Sequence, residues 1–167
     1  MTQAATRGNM EAREMTTATQ LTQRWVERLR RDALNWTASS RTISPILLAN
    51  TTYLNTVPNP GTAALWATPI PTPISTETAN FDYYGRDTTD TREMRYCTNI
   101  RLEWLYTGRS MRADVRVWWL RRVSGTATPD ASRAALGQCG PGIDPNTLTN
   151  NWSVRMTYAS TVIRWTP

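Results

Sequence analysis

The 167-residue chain contains neither lysine nor histidine, so all 19 of its basic residues are arginine. Without histidine, the chain lacks the commonest acid–base catalyst and metal ligand. Without lysine, it cannot form a Schiff base or a Ser–Lys dyad. Its two cysteines, Cys97 and Cys139, are too few for a zinc site and form no CxxC pair. These absences predict a protein that is not an enzyme and needs no cofactor.

The chain also has little that points to a membrane or to secretion. The polar N-terminus, MTQAATRGNMEAREM, predicts no signal peptide. The longest apolar stretch, residues 43–49, is too short to span a bilayer. We therefore expect Cys97 and Cys139 to be reduced thiols in the interior of a cell, although a disulfide between them is the alternative.

Positive charge is unevenly distributed along the chain, whose net charge is +6. Residues 1–42 carry seven arginines against four acids, and residues 91–122 carry eight against three, whereas residues 43–90 carry one against four. A guanidinium group meets phosphate oxygens in pairs and stacks on bases. The pattern favours an anionic partner such as nucleic acid, and a coding bias against lysine is the competing explanation.

The N-terminal region divides into an arm and a helix. Residues 1–16 have almost no apolar content and are predicted to form a flexible polar arm. Residues 17–36, in the segment 17–41 that includes a linker, are predicted to form an amphipathic helix capped by Thr16 or Thr17. Its apolar residues follow steps of three and four: Ala18, Leu21, Trp25, Leu29, Ala33 and Trp36.

The remainder, residues 42–167, reads as a mainly β domain. Residues 42–54 are predicted to be a first strand, residues 55–75 an extended proline-rich segment, and residues 80–92 an acidic surface loop. Strict alternation predicts strands at 95–106 and 112–121 and two last strands at 152–158 and 161–165. The prolines and glycines of residues 123–150 predict a long loop there. Short strands with long connections are typical of a β-sandwich.

Charge predicts a register if the two central strands form a hairpin. Pairing Glu103 with Arg116 places Leu102 opposite Val117 and Arg101 beside Trp118. A register shifted by two residues would instead place Arg101 opposite Arg116 and Glu103 opposite Asp114, which are two pairs of like charge.

The segment DVRVWWLRRVSGTATPDASRAALG, residues 114–137, resembles a stretch of the coat proteins of small circular single-stranded DNA viruses. The preceding NIRLEWLYTG, residues 99–108, is similar to the strand before it. The matching residues are Arg116, Val117, Leu120, Arg121, Arg122, Gly125, Pro129 and Leu136. A basic N-terminal arm before a single jelly roll is also the plan of satellite virus coats, which this chain resembles in that respect. The resemblance implies a single jelly roll, in which consecutive strands usually lie in opposite sheets, so it competes with the hairpin.

Ten arginines are candidates for contact with single-stranded DNA or RNA, through phosphates and without sequence specificity. They are Arg7, Arg13, Arg24, Arg28, Arg30 and Arg31 on the arm and helix, and Arg95, Arg101, Arg112 and Arg116 on the strands. The helical arginines are otherwise a solvated face, and the strand arginines otherwise form cross-strand ion pairs.

Two further sets of residues are candidates for binding. Trp66, Trp118 and Trp165 fall outside the expected core positions and are predicted anchors of contacts between identical subunits. Asp82, Asp87 and Asp90, with Tyr83 and Tyr84, form either a calcium site or a solvated loop.

Three functions fit these patterns. The first is a viral coat subunit that self-assembles inside the host cell, remains in the virion, and binds the packaged strand. The second is a particle accessory protein, such as a decoration or connector subunit. The third is a single-stranded nucleic-acid-binding domain outside a virion, whose aromatic residues stack on bases.

Overall fold

The structure is a computed structural model that describes residues 2–36, 45–70, 77–122 and 152–165, together with Cys139 and Pro145. For residues 2–7, 45–47, 121–122 and 152–153 it describes the backbone alone. The predicted loop at 123–150 therefore lies outside the described residues, apart from Cys139 and Pro145.

Helix α1 spans Thr2–Asp32, and a 3-10 turn at Ala33–Trp36 follows it. Its predicted apolar stripe is buried at Ala18, Leu21, Trp25 and Leu29. The helix begins some four turns earlier than predicted, so residues 2–16 form helix where a flexible arm was expected. The stretch MEAREM supplies strong helix formers, and low apolar content limits burial without excluding helical backbone.

The strand predicted at 42–54 is wrong over its described part, since Pro45–Asn50 and Leu54–Thr56 are 3-10 turns. The buried Asp32 carboxylate accepts the backbone N–H groups of Thr52, Tyr53 and Leu54 at 2.6, 2.7 and 3.0 Å. These N–H groups would be needed for a sheet ladder, so the contact with Asp32 holds the segment in turns. Residues 42–44 lie outside the described residues.

Four antiparallel strands form one sheet in the order β1-β2-β3-β4. Their bounds are Asn80–Phe81 for β1, Tyr96–Tyr106 for β2, Ser110–Arg122 for β3 and Trp152–Arg164 for β4. The two central strands lie where the alternation predicted them. The two strands predicted after residue 151 are a single strand, because Ala159 and Ser160 continue the alternation and neither residue breaks a strand.

Strands β2 and β3 form the expected hairpin, but its predicted register is wrong. Glu103 pairs with Arg112 rather than Arg116, and Arg101 pairs with Asp114. A short turn closes the hairpin, with Gly108 at a φ of +71°, a conformation that glycine adopts easily. The short turn shifts the register by four residues from the predicted one, so that Glu103 meets Arg112 instead of Arg116. This register places two pairs of opposite charge across from each other.

The main core lies between α1 and one face of the sheet. Val115, Val117 and Trp119 of β3 point toward the helix, where Trp25 and Leu29 are fully buried. Within the described ranges the layer opposite the sheet is therefore a helix. These ranges contain no second sheet, and consecutive strands are neighbours in the one sheet. The mainly β prediction holds in the coarser sense of a four-stranded antiparallel sheet with an N-terminal helix, while the sandwich and the jelly roll are not confirmed.

A smaller core lies on the other face, which we call the outer face. Cys97, Trp118 and Leu120 pack there against Met94 and Cys139. The prediction of reduced thiols is wrong, because Cys97 and Cys139 form a disulfide with 5.4 Å between their Cα atoms. The bond ties Cys139, far along the chain, to the start of β2. Among the described residues, no helix is both long and apolar enough to cross a membrane.

Candidate nucleic-acid interface

The arginine stripe of α1 faces acidic groups of the same chain. Arg24 and Arg28 both bind the Asp87 carboxylate, at 2.6 and 2.8 Å. Arg28 also lies 3.5 Å from Glu77, which pairs with Arg31 as well. The side chain of Arg28 is only 3% exposed, and its guanidinium group stacks over Trp25. Arg28 therefore holds the helix to the 77–87 segment, and its guanidinium group is not exposed to an external phosphate.

The other helical candidates differ in exposure. Arg30 pairs with Glu27 at 2.7 Å and donates to Thr161 of β4 at 3.2 Å, yet its side chain remains 55% exposed. Arg13 is exposed and lies 5.5 Å over the ring of Tyr83, without an acidic partner among the described residues. The side chain of Arg7 lies outside the described residues.

Most of the strand arginines form the ion pairs that were the alternative to nucleic-acid contact. Arg101 and Arg112 flank the Asp114 carboxylate, at 2.7 and 3.2 Å. Arg95 pairs with Glu14 of the helix. Arg116 is 2% exposed and donates to the side-chain oxygen of Asn99 at 3.0 Å. Because it is buried, Arg116 is not available to a phosphate.

The pKa of Asp114 is set by opposing effects. Burial of the carboxyl group works against ionisation, but hydrogen bonds from Ser160 and Arg101, with the charges of Arg112 and Arg101, outweigh it. The pKa of Asp114 is therefore lowered from its ordinary value of 3.8. An ionised Asp114 thus pairs with both arginines on the outer face, and Glu103 is a second acidic partner of Arg112, at 2.8 Å.

The aspartates of the acidic loop, for which a calcium site and a solvated loop were the two alternatives, are paired with arginines. Asp82 binds Arg86, Asp87 binds Arg24 and Arg28, and Asp90 binds Arg92. The aspartates thus have cationic partners, and in the described ranges no cluster of three or more His, Cys, Asp or Glu residues could hold a metal ion. Burial opposes ionisation of Asp82, but N–H groups of Arg86 and Tyr84 lower its pKa. Asp82 accepts these N–H groups across the turn, so its role is structural.

A row of residues at the closed end of the β2–β3 hairpin combines an exposed ring with unpaired positive charge. Tyr106, Ser110 and Arg164 are directly opposite one another on β2, β3 and β4, and Arg109 precedes Ser110. Tyr106 is 72% exposed, and both arginines are exposed. Neither has an acidic partner among the described residues. We call Tyr106, Arg109, Ser110 and Arg164 the hairpin-end row.

The sequence analysis missed this row. Arg109 lies in a turn, and Arg164 is a single arginine near the end of a strand, so neither belongs to a stripe or run of arginines. The available signal was the absence of acids from 104–113 and 152–167, the two segments that meet here.

The predicted interface tryptophans occupy three different environments. Trp118 is 1% exposed, and its indole N–H donates to Asn99 at 3.0 Å, so its prediction as an exposed anchor is wrong. Trp118 packs in the smaller core with Cys139. Trp165 is partly buried against the main core. Trp66 is partly exposed and lies on the outer face, with the guanidinium groups of Arg101 and Arg116 at 4.9 and 4.4 Å from its ring.

A cleft of about 400 Å³ lies beside Trp66 on the outer face. Arg101, Asp114 and Ser160 line it together with Tyr158, whose ring is 6.2 Å from that of Trp66. Tyr158 is 60% exposed. The outer face thus offers aromatic rings and a guanidinium group within one shallow depression.

Comparison with protein-family models, with curated proteins and with solved structures finds no match to this chain.

Proposed function

We propose that this protein is a coat-type structural subunit that assembles with copies of itself and binds packaged single-stranded nucleic acid. Its action is binding and assembly rather than catalysis, and its final location is the virion. The hairpin-end row is the observation that carries the proposal. A base stacks on the exposed Tyr106 ring while Arg109 and Arg164 contact phosphates. Tyr106 on β2 and Arg164 on β4 are two strand spacings apart, roughly 10 Å, so one short segment of a single strand can reach both.

Charge pairing inside the chain supports this placement. Most acidic side chains described by the structure are bound by arginine, as in the pairs around Asp87 and Asp114. Among the arginine side chains that the structure describes, those that are exposed and have no acidic partner are Arg13, Arg109, Arg155 and Arg164. Phosphate contacts by such residues need no rearrangement of the fold.

The remaining features of a coat subunit belong to the same proposal. The disulfide favours a particle that leaves the reducing interior of the host cell after assembly. The jelly roll stays a prediction, and the neighbouring order of β2, β3 and β4 favours the helix-backed sheet as the assembling unit. Large exposed apolar side chains, including Leu65, Ile70, Tyr158 and Val162, are available for contacts between subunits.

Binding of a fluorescent oligothymidylate at several salt concentrations tests the nucleic-acid part. We expect the double variant Arg109→Ala/Arg164→Ala to bind more weakly and to reduce the slope of log K against log salt by about 1.4, for two phosphate contacts with a single strand. Tyr106→Ala should weaken binding by about 1–3 kcal/mol with little change in slope. Arg92→Ala is the matched control, because Arg92 is exposed but paired with Asp90. Equal losses in the control and the double variant would refute the assignment.

A single-stranded nucleic-acid-binding domain outside a virion is the second candidate, and the aromatic cleft at Trp66 and Tyr158 favours it. Electron microscopy of the full chain with and without single-stranded DNA separates the two functions. A coat subunit gives closed particles, whereas the second candidate gives beaded or unassembled complexes of the same affinity.

A further inference from the structure

Strand β4 has one fully paired edge, and its other edge is open in the part of the chain that the structure describes. All thirteen of its residues, Trp152 to Arg164, are in register with β3. In the described ranges, no segment pairs with its other edge, because β4 is the last strand in the sheet order. An unpaired edge of this length is a template for another strand.

The hydrogen-bond pattern shows which backbone groups face the open edge. Ile100 exchanges both its backbone hydrogen bonds with Ala67, so it makes none with Val115, its partner on β3. Val115 must then bond to Ala159 on the other side, because bonded and non-bonded pairs alternate along antiparallel strands. Odd positions of β4 therefore bond to β3, and even positions from Val154 to Val162 direct their N–H and C=O groups outward.

The middle of β4 carries none of the features that normally protect an edge. Residues 156–163 contain no charged residue and no proline, and β4 pairs with β3 without a bulge. Two of the large exposed apolar side chains lie here, Tyr158 at 60% and Val162 at 50% exposure. Both are at even positions and so lie on the outer face, beside the open edge.

A second copy of β4 complements this edge. A twofold axis perpendicular to the sheet pairs residues on the same face, so even positions pair with even positions. Arg155 and Arg164 lie on opposite faces and cannot be set against each other in any such register. With Ser160 on the axis, Tyr158 lies opposite the partner's Val162, and this aromatic–β-branched pair occurs twice.

We propose that two copies of this chain join their β4 edges antiparallel about Ser160, which produces one eight-stranded sheet. The inference rests on the proposed coat function and names the contact between subunits. The identical strand is the favoured occupant because the edge is complementary to itself in charge and in apolar contact. A segment of this chain outside the described residues is the competing occupant, and it would leave the protein monomeric.

Cysteine crosslinking of the full chain tests the register. Facing residues of a bonded pair have Cα atoms about 5.5 Å apart, within the range for a disulfide. Ser160→Cys should therefore crosslink to itself under mild oxidation. Tyr158→Cys alone should not, since its copies would be about 13 Å apart along the strand, and the same holds for Val162→Cys. An equimolar mixture of the Tyr158→Cys and Val162→Cys variants should crosslink to about half the yield of Ser160→Cys, because only mixed dimers place the two cysteines opposite each other.

Light scattering provides a readout that does not depend on added cysteines. Val162→Arg should raise the dimer dissociation constant at least tenfold, because it places charge in the apolar contact, whereas Thr89→Arg, away from β4, should leave it unchanged. A strictly monomeric wild-type protein, or equal crosslinking by Tyr158→Cys and Ser160→Cys, would overturn the inference.

The outcomes separate this inference from the proposed function. Closed particles that lack the Ser160→Cys crosslink would overturn β4 pairing and leave the coat function standing. A crosslinked dimer that binds no nucleic acid and forms no particle would support β4 pairing and overturn the coat function.

Discussion

Asp114 balances two arginines on the outer face, so removal of its charge should destabilise the fold without changing its shape. Its Oδ2 accepts from Arg101 Nε at 3.0 Å and Nη2 at 2.7 Å and lies 3.2 Å from Arg112 Nε, while Oδ1 accepts from Ser160 at 2.7 Å. In Asp114→Asn the hydrogen bonds from Arg101 lose their charge assistance, which costs about 1 kcal/mol. Arg112 loses an ion-pair contact but keeps its pair with Glu103 at 2.8 Å, so we expect a total loss of about 1–2 kcal/mol in the free energy of unfolding. The arginines are 33% and 40% exposed, so solvent screening keeps the loss below that of a fully buried pair.

Chemical denaturation at neutral pH measures this loss, and Asp90→Asn is the matched control. Asp90 binds a single arginine on the surface, so its variant should not differ measurably from wild type. The pKa of Asp114 is lowered in the folded state, so its contribution is present above the unfolded value of about 3.8 and disappears as pH falls through the folded value. The difference between wild type and Asp114→Asn should therefore persist at pH 5 and shrink in stronger acid. Equal free energies of unfolding for Asp114→Asn and Asp90→Asn would refute this account.

Three further predictions concern groups that the structure buries. Burial, followed by the charge of Glu77, raises the pKa of Tyr53 to about 12, and burial, followed by the charge of Glu14, raises the pKa of Tyr96 to about 12. Two of the six tyrosines should therefore ionise late in an ultraviolet titration. The free energy of unfolding should fall as the pH rises from 10 through 12, because the unfolded chain loses these protons first. Six tyrosines ionising together would contradict this. Asp32→Ala should lower the free energy of unfolding by at least about 2 kcal/mol, because three backbone N–H groups lose their acceptor. Asp32→Asn keeps a side-chain oxygen and should lose less. An unchanged denaturation midpoint in Asp32→Ala would contradict the contact. Cys97→Ala/Cys139→Ala should lose about 4 kcal/mol, estimated from the 42-residue separation, and denaturation of the wild type with reductant should match the variant.

Local pattern predicted the strands but not how they pair. Alternation identified β2 and β3 to within two residues, because a sheet with one buried face requires side chains of period two. Registers that differ by two or four residues leave every side chain on the same face, so alternation cannot distinguish them. The turn at Gly108 made the choice. Charge was an incomplete guide, since two registers oppose unlike charges.

Long-range contacts account for the other differences. The alternation places Trp118 on the polar face and predicts that it is exposed, but the disulfide brings Cys139 into the smaller core in which Trp118 is buried. Residues 45–54 have the composition of a strand, but the carboxylate of Asp32 binds their N–H groups. Neither contact leaves a trace in the segment that it changes. The site shows the same limit, because an arginine stripe identifies charge and cannot show which acids will meet it.

A comparison of Arg24 and Arg28 tests whether the helical arginines stabilise the fold or bind a ligand, because both pair with Asp87 but only Arg28 is buried. Arg28 donates to both Asp87 oxygens and to the carbonyl of Thr78, and its guanidinium group stacks over Trp25 and Phe81. Lysine has neither the planar fork nor the stacking surface, so Arg28→Lys should lose about 2–3 kcal/mol of unfolding free energy. Arg24 is 47% exposed with one close contact to Asp87, and Arg24→Lys should lose well under 1 kcal/mol.

The two substitutions preserve charge, so a phosphate-binding role would respond differently from a structural one. A residue that neutralises a phosphate as a point charge tolerates lysine, whereas a buried fork does not. We therefore expect Arg28→Lys to change thermal stability and leave the salt slope of oligonucleotide binding unaltered. A stable Arg28→Lys variant with a reduced slope would return Arg28 to the nucleic-acid interface. It would also imply that α1 leaves the 77–87 segment when it binds, since Arg28 is otherwise enclosed by Trp25, Phe81 and Asp87.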